Sequence, residues 1–358
     1  MCIISAALDR HPLFPFILAS NRDEDLFRLD LSTPPEVHTI EPGGSSVLCG
    51  RDRRAGGTWI GVNVKTGAFA VVTNLRSSGT TLSEIVMCRR APKELSRGTV
   101  VLDLITDPLK AESVYIRNPE TFMRAGPCNI LFGNIFSSHP RVNYSANRLP
   151  FSHPDTATAR SRILPSGIHV LGNDMLGYEH CKCPYLETKV AAIVDASATQ
   201  CTEREHGMLD TAEELQAQCL ADQLANTMLC SRVEAPWWHV LWKFFTVSRH
   251  RNMQPECLSF LLLFGALASA FVLFIGRLQL SALVLAFVLA FPYFFFVFWH
   301  LNACCVSLPS YGTMSQTIIL FSARSKRLFY FYRDVHCQTA SGEAWKVFIL
   351  QNCRSRTS

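Results

Sequence analysis

What this chain lacks already narrows it. There is no glycine-rich phosphate loop and no long alternation of strands with helices, which argues against a doubly wound nucleotide-binding fold. There is no dense stripe of lysine and arginine. The 34 basic and 29 acidic side chains leave a net charge of only +5, so nucleic acid is not expected as a partner. The opening residues lack the charged and long apolar regions of a secretory signal peptide. The fourteen scattered cysteines are therefore expected to be reduced, cytosolic thiols used mostly as small hydrophobes. No metal is expected: His180-Cys181-Lys182-Cys183 lacks a fourth ligand and metal-site spacing, and reads as a polar loop. No Cys-x-x-Cys-His haem-attachment motif occurs either.

What is present begins at the N-terminus. Two short apolar runs, Ile3–Leu8 and Phe14–Ser20, flank the turn Asp9-Arg10-His11-Pro12 and predict a β-hairpin. The hairpin returns the cluster Asn21-Arg22-Asp23-Glu24 beside Cys2. Removal of Met1 would leave the Cys2 thiol next to its own α-amino group, whose ordinary pKa near 8 suits a base. A nucleophile, a built-in base and an orienting carboxylate are the parts of an N-terminal nucleophile hydrolase.

Further along, Pro34-Pro35 and Pro42-Gly43-Gly44 read as loop. Gly56-Gly57-Thr58-Trp59 then leads into an alternating run, and Gly67 turns it into Ala68–Asn74, a second hairpin. Asn74 at its end either starts a turn or donates to a developing oxyanion. Residues 80–116 read as one or two helices interrupted at Ser96–Thr99. Strands are expected at 128–133, 141–148 and 167–173, the last ending in Asn173, and a helix over 203–230.

Taken in order, Met1-Cys2-Ile3-Ile4, Ala19–Glu24, Gly56–Gly61, Thr73-Asn74, Ser96–Gly98, Asn129, Asn147-Arg148, Leu171–Asn173, Tyr311–Thr313 and Gly342–Trp345 resemble the NRDE family of transport and Golgi organization proteins. The resemblance implies an α+β fold, a four-layer αββα sandwich of the N-terminal nucleophile hydrolase type. By that resemblance Cys2 would be the nucleophile, Asp23 would orient the amine, and Asn74 and Asn173 would build the oxyanion hole and substrate site. Two departures stand out. Met314 occupies the position after Tyr-Gly-Thr where the family usually carries Arg, and Gln316 replaces the next Asn. Loss of a buried positive charge there should weaken thiolate formation.

The second departure is an apolar insertion. Residues 258–276 and 280–299 are uncharged and separated by Arg277-Leu278-Gln279. Each half matches the roughly 20 residues that span a bilayer, whereas one continuous helix would be about 60 Å long, twice the hydrocarbon core. A transmembrane helical hairpin is therefore expected to interrupt the fold, dividing the chain into 1–235, an insertion at 236–302, and 303–358. Lys243, Arg249 and Arg251 would set both flanks in the cytosol. A buried helical pair, or a segment foreign to the fold such as a translated intron, are the alternatives.

Two functions follow. One is a non-enzymatic factor in Golgi and secretory organisation, membrane-associated through 258–299, with lipid or haem cargo implied by the resemblance alone. In that case Cys2 is a core thiol, a lipidation site or a soft ligand, and Asn21–Glu24 a structural turn. The other is a Cys2-dependent amidohydrolase.

Overall fold

The computed structural model describes residues 2–25, 31–41, 43–75, 95–147, 161–173, 175–176, 182–203, 210–228, 311–335 and 344–351. Two antiparallel sheets stack face to face. The first has six strands in the order β10-β1-β2-β11-β12-β13, and the second has seven in simple sequence order, β3 to β9. In the first sheet β1 is Ile3–Leu8, β2 Phe16–Asp25, β10 Gly167–Leu171, β11 Tyr311–Phe321, β12 Arg327–Asp334 and β13 Lys346–Gln351. The second comprises β3 (Glu36–Ile40), β4 (Ser45–Cys49), β5 (Ile60–Asn63), β6 (Ala68–Asn74), β7 (Cys128–Asn134), β8 (Arg141–Ala146) and β9 (Ser161–Ile163).

Helices cover both outer faces. Helices α4 (Lys182–Glu203) and α5 (Asp210–Met228) pack on the first sheet. On the second lie α1 (Arg97–Thr106), α2 (Pro108–Ala111), a π-turn (Glu112–Ile116) and α3 (Pro119–Met123). A strand buried on both faces cannot show polar alternation, so β1 reads IISAAL and is buried at every position. The pleat still sorts its side chains. Ile4, Ala6 and Leu8, with Phe16 and Leu18 of β2, fill the core between the sheets. Ile3, Ala7, Ile17 and Ala19 fill the core under α4 and α5.

The turns follow from their residues. Asp9 takes φ 53° and its amide donates to the Pro15 carbonyl at 2.9 Å, closing the β1–β2 hairpin. Within that turn, His11 Nδ1 accepts from the amides of Leu13 and Phe14 at 3.2 and 3.1 Å. Between β5 and β6, Asn63 Oδ1 accepts from Lys65 and Thr66, and Gly67 sits at φ 77° with no room for a Cβ against Phe136.

Several expectations are corrected. No helix among the described residues is long and apolar enough to cross a membrane. The transmembrane hairpin expected at 258–276 and 280–299 lies outside the described residues, and the fold described is a two-sheet α/β sandwich without it. The division at 236–302 falls within residues 229–310, outside the described residues, and β11 and β12 beyond it sit in the same sheet as β1 and β2. Residues 76–94, which hold the first part of the stretch read as helical, lie outside the described residues, and Arg97 to Thr99 form the first turn of α1. Ser96 caps that helix, its hydroxyl accepting from the Gly98 amide at 3.2 Å. The proline- and glycine-rich stretch read as loop carries β3 and β4, paired Glu36↔Cys49 to Ile40↔Ser45. Lys182-Cys183, read as loop, opens α4; His180 and Cys181 lie outside the described residues.

Candidate functional site

The Asn21–Glu24 cluster ends β2, and the pleat divides its four residues between two layers. Continuing the alternation of Phe16 to Ala19, Asn21 and Asp23 fall on the helix side, Arg22 and Glu24 on the side of the second sheet. Asn21 Nδ2 donates to the Met228 carbonyl at 2.8 Å, and Gln316 Nε2 donates to Asn21 Oδ1 at 2.8 Å and to the Ala225 carbonyl at 3.1 Å. Both carbonyls belong to the last described turn of α5. Arg333 Nε donates to Gln316 Oε1 at 2.8 Å while its guanidinium stacks on Trp345 at 4.4 Å. Asn21 and Gln316 together therefore tie this end of α5 to the sheet.

Arg22, on the other face, is buried and lies over the Trp59 ring at 4.1 Å. Its Nη2 stands 3.5 Å from Glu24 Oε2, and its Nη1 donates to Met314 Sδ at 3.5 Å. Met314 owes this contact to a bulge. On β11 Thr313 opposes Asp23 and Ser315 opposes Arg22, so Met314 is the extra residue between them. Thr313 Oγ1 donates to Asp23 Oδ1 at 2.6 Å. The Asp23 carboxylate is thus tied across the sheet to β11.

Gly56–Trp59 brings the opposite wall. Gly56 turns at φ 69°. A Cβ on Gly57 would stand 2.3 Å from the Gly98 carbonyl carbon, and the Thr58 amide donates to the Gly98 carbonyl at 3.1 Å. The first turn of α1 therefore docks backbone to backbone on this motif. Trp59 packs against Gly50, where a Cβ would come within 2.6 Å of the indole Cη2. The indole thus touches both that glycine and the Arg22 guanidinium.

Cys2 stands one residue before β1. The pairing Ile3↔Asn21 puts it opposite Arg22, and Ile4↔Leu171, carried two residues further, puts it opposite Asn173. Its thiol donates to the Asp23 carbonyl at 3.5 Å. Burial pushes the thiol pKa up. The amino terminus and Arg22 act against that shift, and the Asp23 charge reinforces it. Asn173 Nδ2 donates to the Asn74 backbone carbonyl at 2.7 Å, while Asn173 Oδ1 is buried with no partner among the described residues. Asn74 itself is exposed, and the contact that joins it to Asn173 is through its carbonyl. Beneath them Thr73 Oγ1 donates to the Gly172 carbonyl at 2.8 Å, and Asn129 Nδ2 donates to Thr73 Oγ1 at 3.3 Å. The Tyr144 hydroxyl joins Asn129 Oδ1 to the Leu176 amide at 2.9 and 3.1 Å.

The four sequence-predicted residues therefore gather at one end of the sandwich, as two pairs: Cys2 with Asp23, and Asn173 with Asn74. Sequence reasoning missed the Arg22–Trp59–Met314 stack and the Tyr144–Asn129–Thr73 chain. The even spacing of Arg22 and Glu24 was the available signal for the first, and nothing marked the second. Asn147 serves α3 and β7: its Nδ2 donates to the Phe122 carbonyl at 3.1 Å and its Oδ1 accepts from the Cys128 amide at 2.8 Å. Among the described residues no group of three His, Cys, Asp or Glu side chains is arranged to hold a metal.

No curated protein matches the chain in a sequence search. A family model described as Transport and Golgi organisation 2 matches residues 1–336. Its span takes in both halves of the first sheet, from Cys2 to the end of β12, together with every residue of the Arg22–Trp59–Met314 stack. The chain belongs to the transport and Golgi organisation 2 family.

Proposed function

We propose that this protein acts in secretory-pathway and Golgi organisation as a non-enzymatic factor, with the Cys2 end of the sandwich serving structure or cargo binding. The observation that carries this reading is the state of the thiol. Burial pushes its pKa above the ordinary value, the Asp23 charge adds to that, and the residue after Thr313 is an uncharged methionine. A protonated thiol is a poor nucleophile at neutral pH. Lipid or haem is the cargo class proposed with it, and a Soret shift on haem titration or retention on phospholipid vesicles tests each in turn.

The deciding experiment is acylation. The full-length protein is incubated with thiol-reactive acyl amides, and intact mass is read before and after. Retention of Met1 or absence of an acyl adduct on Cys2 is expected. An adduct that forms on the native chain, is missing in Cys2→Ala and is released by water would overturn the non-enzymatic reading. A second reading, a Cys2 amidohydrolase, is favoured by the 3.5 Å approach of Cys2 to Asp23 and by the register position of Asn173 across from the thiol.

A further inference from the structure

Arg22 is a buried cation with soft company. Its guanidinium, a group of five N–H donors, meets an aromatic face at 4.1 Å, a thioether at 3.5 Å and a carboxylate oxygen at 3.5 Å. The last distance is longer than a charge-assisted hydrogen bond of about 2.7–2.9 Å, so Glu24 neutralises it incompletely. Three features fix where that charge sits. Trp59 is itself seated against Gly50, the β11 bulge aims Met314 at Nη1, and the β2 register sets Arg22 opposite Cys2.

We propose that Arg22 is the positioning residue of Cys2: its guanidinium, stacked on Trp59 and tethered to Met314, is the fixed positive charge that faces the thiol from across the β1–β2 pair. Among the described residues, the other charges that act on Cys2 are its chain's amino terminus and Asp23, while Glu24 stands beside Arg22. Among them too, β11 brings Thr313, Met314 and Ser315, β12 brings Tyr332 bonded to Asp334, and beyond β10 stands the neutral Asn173. In these buried surroundings a charge on the thiolate is opposed by desolvation and by the Asp23 charge; the amino terminus, the contact with the Asp23 carbonyl and, by the least, Arg22 act in the opposite sense. The Trp59 indole is therefore part of the thiol's environment, through the cation that it holds.

The inference concerns the same end of the molecule as the proposed function, but the two fail separately. Acylation and turnover would refute the first, while an unmoved pH profile would refute this one. The test is iodoacetamide labelling of Cys2 in the full-length chain across pH 7–11, followed by peptide mass. In Arg22→Met the midpoint is expected to rise, and one unit would slow labelling at pH 8 about tenfold. Arg22→Lys is expected to recover most of that loss. A residue that merely packs would, when removed, loosen the site and speed labelling at every pH with no change of midpoint. That outcome overturns the proposal. Should Arg22→Met fail to fold, Trp59→Leu keeps the charge but frees it, and is expected to move the midpoint the same way by less; no movement there overturns the proposal equally.

Discussion

Acid should unsettle this fold through one residue of the first hairpin, and the effect can be separated from the rest of the protein. His11 is 3% exposed, with Nε2 3.2 Å from Ser197 Oγ on α4 and Nδ1 accepting two backbone amides. Since Nδ1 accepts, the proton belongs on Nε2 and the ring is neutral. Burial lowers its pKa from 6.5 to about 4, and the contact with Ser197 opposes this. The unfolded chain therefore binds the extra proton between pH 4 and 6.5. The stability due to neutral His11 is complete above pH 6.5 and is lost as pH falls through that window. Integrated from pH 7.5 to 4.5 the loss is about 2.5 kcal/mol. His11→Asn isolates it. The Asn Oδ1 can still accept from the amides two and three residues on, but it cannot reach Ser197 or replace the ring 5.1 Å from Phe14. The variant should be less stable at pH 7.5 by about 1–2 kcal/mol and should lack the acid-side loss, so the two stability curves converge or cross near pH 5. Urea unfolding followed by far-UV circular dichroism at pH 7.5, 6.0, 5.0 and 4.5 measures both. Parallel curves would refute the assignment.

Three further outcomes are expected. Gly57→Ala forces a methyl to 2.3 Å from the Gly98 backbone, where no flexible side chain can yield, and should cost about 1–3 kcal/mol, seen as a lower urea midpoint with an unchanged slope. Gln316→Leu strips the bond to the Ala225 carbonyl and leaves Asn21 and Arg333 each without the amide they now meet, costing about 2–4 kcal/mol; hydrogen exchange should quicken first in the last turn of α5. Tyr144→Phe removes the hydroxyl between Asn129 and the Leu176 amide and should cost about 1–2 kcal/mol, with amide exchange at Leu176 rising while β12 stays protected.

The N-terminal hairpin and the β5–β6 hairpin were legible because each couples apolar runs to a turn with its own chemistry, Asp9 to Pro15 in one and Asn63 with Gly67 in the other. The gathering of Cys2, Asp23, Asn74 and Asn173 at one end was legible through the family resemblance, since no local pattern links positions so far apart. Other features left no trace. β3 hides between Pro34-Pro35 and Pro42-Gly43-Gly44, with β4 directly after them, and β3 lies at a sheet edge, mostly exposed, so it has no buried face to imprint an alternation. The start of α4 was obscured because Lys182 is charged yet buried. The bulge at Met314 is one residue in an otherwise regular run, and its effect on Arg22 appears only when β2 lies alongside.

The order of strands in the first sheet has a temporal consequence. β2 is a central strand, but the neighbour on its far side, β11, comes almost 300 residues later in the chain. At synthesis rates of about 5–20 residues per second, the edge carrying Asn21 to Asp25 emerges roughly 15–60 s before its partner. Throughout that interval it is an unpaired row of amides and carbonyls flanked by apolar side chains, a template for other nascent chains. A message truncated between residues 172 and 310 would make that interval permanent, leaving β1, β2 and β10 as an open half-sheet.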